Sequence, residues 1–117
     1  AESCRLKPMS KNHIRKAEKV ARKSTHPGFP MGALVVRGGA VISAAHNLGP
    51  GAGHAEERAL RPHCDYAGCD IYIVRLNGIH TSRPCPMCTK IIKEAGIRHV
   101  IYTDSHGVLL KVPAGML

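Results

Sequence analysis

Two short segments hold the side chains best suited to chemistry: His54-Ala55-Glu56 and Pro84-Cys85-Pro86-Met87-Cys88. A Cys-x-x-Cys pair at a helix N-terminus can set two thiolates on one metal. The helix dipole and the unpaired N–H groups there favour the thiolate form. His54 opens another predicted helix and adds an imidazole. Two sulfurs and one ring nitrogen form a soft-to-borderline donor set that suits zinc. Three protein ligands leave the fourth tetrahedral position open, which marks a catalytic rather than a structural zinc. A water held there would ionise near pH ~7. Glu56 lies two residues beyond the histidine, on the same turn. It is poorly placed to ligate the same ion and well placed to pass protons to and from such a water. One tightly held Zn2+ per chain is expected.

Alone, each piece is weak. A Cys-x-x-Cys pair is more often structural or redox-active, and His-x-Glu occurs by chance. A structural zinc normally has four protein ligands, and the nearest spare cysteines, Cys64 and Cys69, stand in a different predicted loop. His63, Cys64 and Cys69 have the types for a second metal site, with free thiols as the default there. The five cysteines are an odd number, and no secretory signal accompanies them. That disfavours a disulfide framework and favours metal ligation in the cytoplasm or another reducing compartment.

The elements that must carry these segments can be read coarsely. Residues 1–9 look like an irregular basic arm, and Ser10 is a candidate N-cap for a helix over 11–24. Ile14, Ala17, Val20 and Ala21 form its apolar stripe. Pro27, Gly28 and Pro30 stop that helix. Ala33–Val36 and Ala40–Ala45 read as a hairpin turning at Gly38-Gly39. Residues 48–53 form a loop and 54–61 a short helix. Residues 69–76 are a β-branched strand, and Asn77-Gly78 begins a loop. Pro84 and Pro86 open a helix ending at Gly96. Strands over 97–104 and 108–112 close the chain. Only about three residues separate these last two, too few for a parallel crossover, so they must pair antiparallel. The order α-β-β-α-β-α-β-β implies an α/β sandwich around one sheet. A single domain over 1–117 is expected, with no linker or repeat.

His-x-Glu at one helix start, then a strand, then Pro-Cys-x-x-Cys at the next helix start is the signature of zinc nucleobase deaminases. The chain resembles the cytidine deaminase-like superfamily over most of its length. The resemblance rests on PMGALVVRGGAVISAAHN (30–47), GHAEERAL (53–60) and SRPCPMCTKIIKEAGIRHVIYTD (82–104). It implies a three-layer α/β/α sandwich with a five-stranded mixed sheet. It also implies that His54, Cys85 and Cys88 hold zinc and that Glu56 shuttles protons. Asn47 matches the position that contacts the substrate's sugar. The backbone of Ala55 and of the Arg83-Pro84-Cys85 turn would hold the base edge. Phe29 would flank the pocket, and the loop from Tyr102 to His106 would read the nucleotide 5′ to the target. Against these roles, Tyr102 reads equally as a core residue and Phe29 as a loop anchor.

The resemblance also bears on the substrate. Free-nucleoside deaminases of the superfamily typically begin with Cys-Ala-Glu. This chain has His-Ala-Glu, as do deoxycytidylate and polynucleotide deaminases. Adenosine deaminases acting on tRNA commonly carry Glu where Arg83 stands, so cytosine is favoured. The C-terminal hairpin resembles the branch holding nucleoside deaminases and bacterial toxin-type nucleic-acid deaminases.

Composition agrees with an anionic partner. Seventeen Lys and Arg against eight Asp and Glu give a net charge of +9. Residues 1–23 carry eight of those cations against Glu2 and Glu18. Such an excess favours nucleic acid, although a solvated basic helix face would look the same. Aromatic stacking platforms are scarce, with one Phe, three Tyr and no Trp. A cytosine inside a duplex stack is out of reach, so single-stranded nucleic acid is the expected partner, DNA favoured over RNA. The alternatives are a deaminase of free deoxycytidine or deoxycytidylate, an adenosine deaminase acting on tRNA, and a non-catalytic zinc-stabilised nucleic-acid-binding module. No stretch approaches the ~18 apolar residues of a membrane span, and no signal peptide is visible. The first residue is Ala rather than Met, which leaves room for an upstream segment. A monomer is plausible.

Overall fold

The computed structural model of the chain describes residues 11–26, 28–49, 53–61, 65–76 and 81–117. Helix α1 spans Lys11–Ala21, and strands β1 (Met31–Arg37) and β2 (Ala40–His46) form a hairpin. Helix α2 (Ala55–Ala59), strand β3 (Asp70–Arg75) and helix α3 (Pro86–Glu94) follow. Strands β4 (His99–Thr103) and β5 (Leu109–Pro113) and a 3-10 turn over Ala114–Met116 complete the chain. The expected element order holds.

The five strands lie in the order β2-β1-β3-β4-β5. Only β3 and β4 run parallel. The last hairpin is antiparallel, as its short connection requires. The sheet is therefore mixed, as expected. Gly38 and Gly39 both have positive φ (56° and 86°), so the two-residue turn of β1–β2 takes a conformation that glycine adopts without strain.

Period-two alternation sends β1 side chains to opposite faces. Leu34 and Val36 join Tyr72, Val74 and Ile101 under α1, which contributes Ala17 and Ala21. Ala33 and Val35 join Ile71, Ile73 and Val100 on the other face, under α2 and α3, with Ala55, Ala59 and Ile92 packed against them. The result is a three-layer α/β/α sandwich. Gly32 sets how closely α1 approaches: a Cβ there would lie 2.7 Å from the Ala21 amide nitrogen and closer still to the Ala17 carbonyl oxygen.

Helix α1 ends three residues before its expected limit. Its last turn tightens through Lys23 N–H to the Val20 carbonyl and Ser24 N–H to the Ala21 carbonyl, each 3.0 Å. The Ser24 hydroxyl then turns to the carbonyl and side-chain oxygens of Asn47. A side chain spent on that tertiary contact leaves the helical path. Ser10, Pro27, the Asn77-Gly78 loop, His63 and Cys64 lie outside the described residues. Among the described residues, no helix is long and apolar enough to cross a membrane.

Candidate metal centre and pocket

Both metal-bearing segments sit at the starts of helices on the same face of the sheet. His54 is the N-cap of α2, with extended backbone (φ −85°, ψ 155°). Helix α2 is only five residues long, so its far end depends on tertiary contacts. The Ala59 carbonyl accepts from Ser43 Oγ at 2.6 Å and from the Tyr66 hydroxyl at 3.2 Å. Cys85 is the N-cap of α3, its Sγ accepting from the Cys88 amide at 3.5 Å, and Pro86 occupies the first helical position.

Ser82 anchors the approach to Cys85. It is fully buried. Its hydroxyl donates to the Ile73 carbonyl at 2.8 Å and accepts from the Thr103 amide at 2.8 Å. One side chain thus ties the segment before the cysteines to both β3 and β4.

His54 Nδ1 lies 3.2 Å from Cys88 Sγ and 3.7 Å from Cys85 Sγ. The three donor atoms all fall within 4.8 Å of one another, and no other such cluster of three exists among the described residues. Zinc bonds of the usual lengths in a tetrahedron would separate nitrogen from sulfur by about 3.6 Å and the two sulfurs by about 3.8 Å. The residues fit that ion with little movement. Burial pushes the Cys88 thiol far above its ordinary range, and the neighbouring Glu56 charge adds to this. A dication at the cluster would reverse that cost, since a coordinating thiol is deprotonated outright.

Glu56 is 3% exposed. Burial raises its carboxyl above the usual carboxylate range. Its own backbone N–H, the charge of His54 and a hydrogen bond with Cys88 oppose the rise. It lines a cavity of about 210 Å³ together with His54 and Cys85. The rest of the lining includes residues of the loop after α1 (His26, Phe29, Met31), the segment after β2 (Asn47, Leu48, Gly49), and two arginines, Arg75 and Arg83.

A sequence model of the cytidine and deoxycytidylate deaminase zinc-binding region matches residues 8–104. The chain belongs to this deaminase family. Its sequence is similar to the tRNA-specific adenosine deaminase of Aquifex aeolicus (strain VF5), 30% identical over 112 residues, covering 85% of this chain and 68% of that protein. It is also similar to the riboflavin biosynthesis protein RibD of the same organism, 31% identical over 100 residues. That match covers 82% of this chain but 28% of RibD, so the chain spans little more than a quarter of that relative. Its fold matches the crystal structure of cytidine deaminase from Burkholderia pseudomallei, with a TM-score of 0.73 at 23% identity over 92% of this chain and 95% of that one. The deaminase family is zinc-binding, and His54, Cys85 and Cys88 are the residues that would hold one Zn2+.

The expected site residues divide into two groups in this structure. Asn47, Ala55, Phe29 and Arg83 line the pocket with Glu56, His54 and Cys85. Pro84, Tyr102 and His106 lie outside the lining. Tyr102 is buried in the core beneath α2 and α3. His106 is exposed in the β4–β5 turn, its amide donating to Asp104 Oδ1 at 2.8 Å. Asn47 is 7% exposed and serves first as a clasp. Its Oδ1 accepts from Ser24 Oγ and from the Met31 amide, and its Nδ2 donates to the Phe29 carbonyl at 2.7 Å. Among the described residues, that is the single acceptor its amide hydrogens meet. Cys69 is fully buried with a free thiol. His63 and Cys64, the other members of the considered second metal site, lie outside the described residues.

Residue reasoning missed Arg75 and His26. A signal for Arg75 existed. Ile71, Ile73 and Arg75 share one face of β3 by alternation, so an arginine ends the row of side chains that faces the site.

Proposed function

We propose that the protein hydrolytically deaminates cytosine to uracil in single-stranded nucleic acid, DNA favoured over RNA. The carrying observation is the composition of the pocket. A buried carboxyl and the metal-ligand residues His54 and Cys85 share the lining with exposed Phe29 and Arg83 and half-buried Arg75. The cavity is smaller than the ~300 Å³ at which drug-sized sites begin. It suits one extruded base, with the rest of a strand lying outside. The exposed cations Arg15, Lys16, Lys19, Arg22 and Lys23 of α1 and its last turn supply a surface for that strand.

Zinc held by His54, Cys85 and Cys88 would acidify a water at the cluster. Glu56 takes a proton from the attacking water as the new C4–O bond forms and delivers it to N3 of the base. The water's remaining hydrogen, released as the C4 hydroxyl becomes the C4 carbonyl, passes by way of Glu56 to the exocyclic amine as the C4–N bond breaks, and ammonia leaves. Burial suits Glu56 to this task, because a carboxyl whose pKa is raised toward the working pH both accepts and returns a proton. Asn47 and the Ala55 backbone orient the sugar and base edge, and Phe29 closes one side. Pro84 shapes the turn, while Tyr102 and His106 would act on the 5′ neighbour only through the loop they flank.

The likeness to the tRNA-specific adenosine deaminase favours a second possibility, adenosine in RNA as the target. Incubating zinc-loaded protein with matched single-stranded DNA and RNA carrying one cytosine or one adenosine, and with free deoxycytidine and deoxycytidylate, separates these. Ammonia release and base identity by mass are the readouts. Uracil in the DNA oligonucleotide is the expected product. Turnover of free nucleotide alone, hypoxanthine from the adenosine strand, or binding without ammonia would each replace the proposal.

A further inference from the structure

The parallel pairing in the sheet is shorter than the strands that make it. Strands β3 and β4 pair at Asp70–His99, Ile71–Val100 and Tyr72–Ile101, and the pairing ends there. Both strands run on, β3 to Arg75 and β4 to Thr103. Ser82, fully buried, fills the fork. Its hydroxyl donates to the Ile73 carbonyl at 2.8 Å, accepts from the Thr103 amide at 2.8 Å, and lies 3.1 Å from Thr103 Oγ1. A hydroxyl offers one donor and two acceptor sites, so these three contacts occupy it fully. The Ser82 amide donates to the Thr103 carbonyl at 2.9 Å. The Thr81 hydroxyl donates to that same carbonyl at 3.0 Å and accepts from the Arg83 amide at 3.0 Å.

From this wedge the chain passes through Arg83 and Pro84 to Cys85, the N-cap of α3. Ile92 seats the middle of α3 in the core shared with Ile71, Ile73 and Val100. Apolar packing is non-directional and leaves the start of a helix free to swing. Hydrogen bonds fix length and angle. His54 arrives from α2, whose far end is tied to β2 through Ser43. The imidazole and the two sulfurs therefore come from helices anchored on different strands. Their separations of 3.2 and 3.7 Å depend on where each anchor stands. An apolar residue at 82 would suit burial but leave the Ile73 carbonyl and the Thr103 amide unpaired. Thr81 and Ser82 are not among the pocket-lining residues.

We infer that Ser82, supported by Thr81, is a positioning residue of the metal centre. Its hydroxyl, wedged between β3 and β4, sets how far Cys85 and Cys88 stand from His54, and with that the affinity and symmetry of the bound metal. This holds for the zinc site of the family whichever base is deaminated.

The test compares Ser82→Ala, Thr81→Val at an exposed position, and Gly32→Ala, which loosens the fold from the opposite face of the sheet. Zinc affinity is measured by competition with a chromophoric chelator, with circular dichroism reporting that each metal-free protein is folded. The d–d absorption of Co2+-loaded protein reads the geometry of the centre. Ser82→Ala should weaken zinc by about tenfold, the lower end for residues that orient metal ligands, and shift the cobalt bands. Thr81→Val should shift them in the same direction by less. Gly32→Ala should keep the parent's zinc affinity and bands while losing stability.

Parent-like zinc affinity and cobalt bands in Ser82→Ala overturn the inference. Equal changes in Ser82→Ala and Gly32→Ala also overturn it, since the serine would then act through overall stability alone. If Ser82→Ala does not fold, Thr81→Val decides: unchanged bands overturn the inference, and shifted bands in a folded protein sustain it.

Discussion

The two faces of the sheet are built for different ends. Under α1 the contact is small: Ala17 and Ala21 press on Gly32, and among the described residues the buried cluster there holds no carboxyl or thiol, its one polar side chain being Tyr72. Under α2 and α3 the same sheet supports a buried carboxyl and a buried thiol, Glu56 and Cys88, that apolar side chains would replace at lower cost. One face stabilises the fold, and the other spends stability on poised chemistry.

The largest effect should come from Glu56. Glu56→Gln should lower deamination by about 10³-fold, measured as ammonia release, while retaining zinc. The same change should stabilise the metal-free protein. Burial raises the folded-state pKa of Glu56 above its model value of 4.5, so the ionised form is disfavoured in the fold. Stability is therefore lost as pH rises from 4.5 through the raised value, and Gln abolishes that loss. Thermal melts against pH should show the variant gaining on the parent only above pH ~4.5. A variant less stable than the parent at neutral pH would break the contrast between the faces.

Removing a ligand should come next. Cys88→Ala should abolish stoichiometric zinc by elemental analysis. It should also remove the rise in melting temperature that zinc produces in the parent, because metal binding couples to folding. Retention of full zinc would require a different ligand set.

On the opposite face, Gly32→Ala should cost about 1–3 kcal/mol in denaturant unfolding, because the added methyl meets the α1 backbone rather than a flexible side chain. Activity per folded molecule should persist. A loss of activity without a loss of stability would show that α1 steers the pocket loop directly.

The smallest effect lies in the β4–β5 turn. The Asp104 carboxyl is held below its ordinary range by amide donors from Val108 and His106. Its contribution is present above the model value of 3.8 and fades as pH falls through the lower folded value. Asp104→Ala should shift the melting temperature slightly above pH ~4 and not at all at strongly acid pH.

Much of this was legible in advance. Alternation and turn residues reveal β1, β2 and the antiparallel β4–β5 hairpin, because connection length alone forbids the parallel choice. The ligand set His54, Cys85 and Cys88 was legible because helix-start positions and residue types constrain it locally. Helix α1 ends at Ala21, short of the 24 that its pattern suggests, because the pull of Asn47 on the Ser24 hydroxyl is a contact 23 residues distant. Tyr102 could be read as core or loop, and burial against α2 and α3 decides for the core.

The sequence by itself determined the donor types, their spacing, the element order and the positive charge, all of which are properties of neighbours along the chain. Only the tertiary structure decided which distant groups share a pocket. It brought Arg75 from the end of β3 over Phe29 from the loop after α1, and it turned Asn47 into the clasp of that loop. The physical reason is that such contacts depend on strand register and on how closely helices approach the sheet. Both are fixed by packing the whole core, which no local window contains.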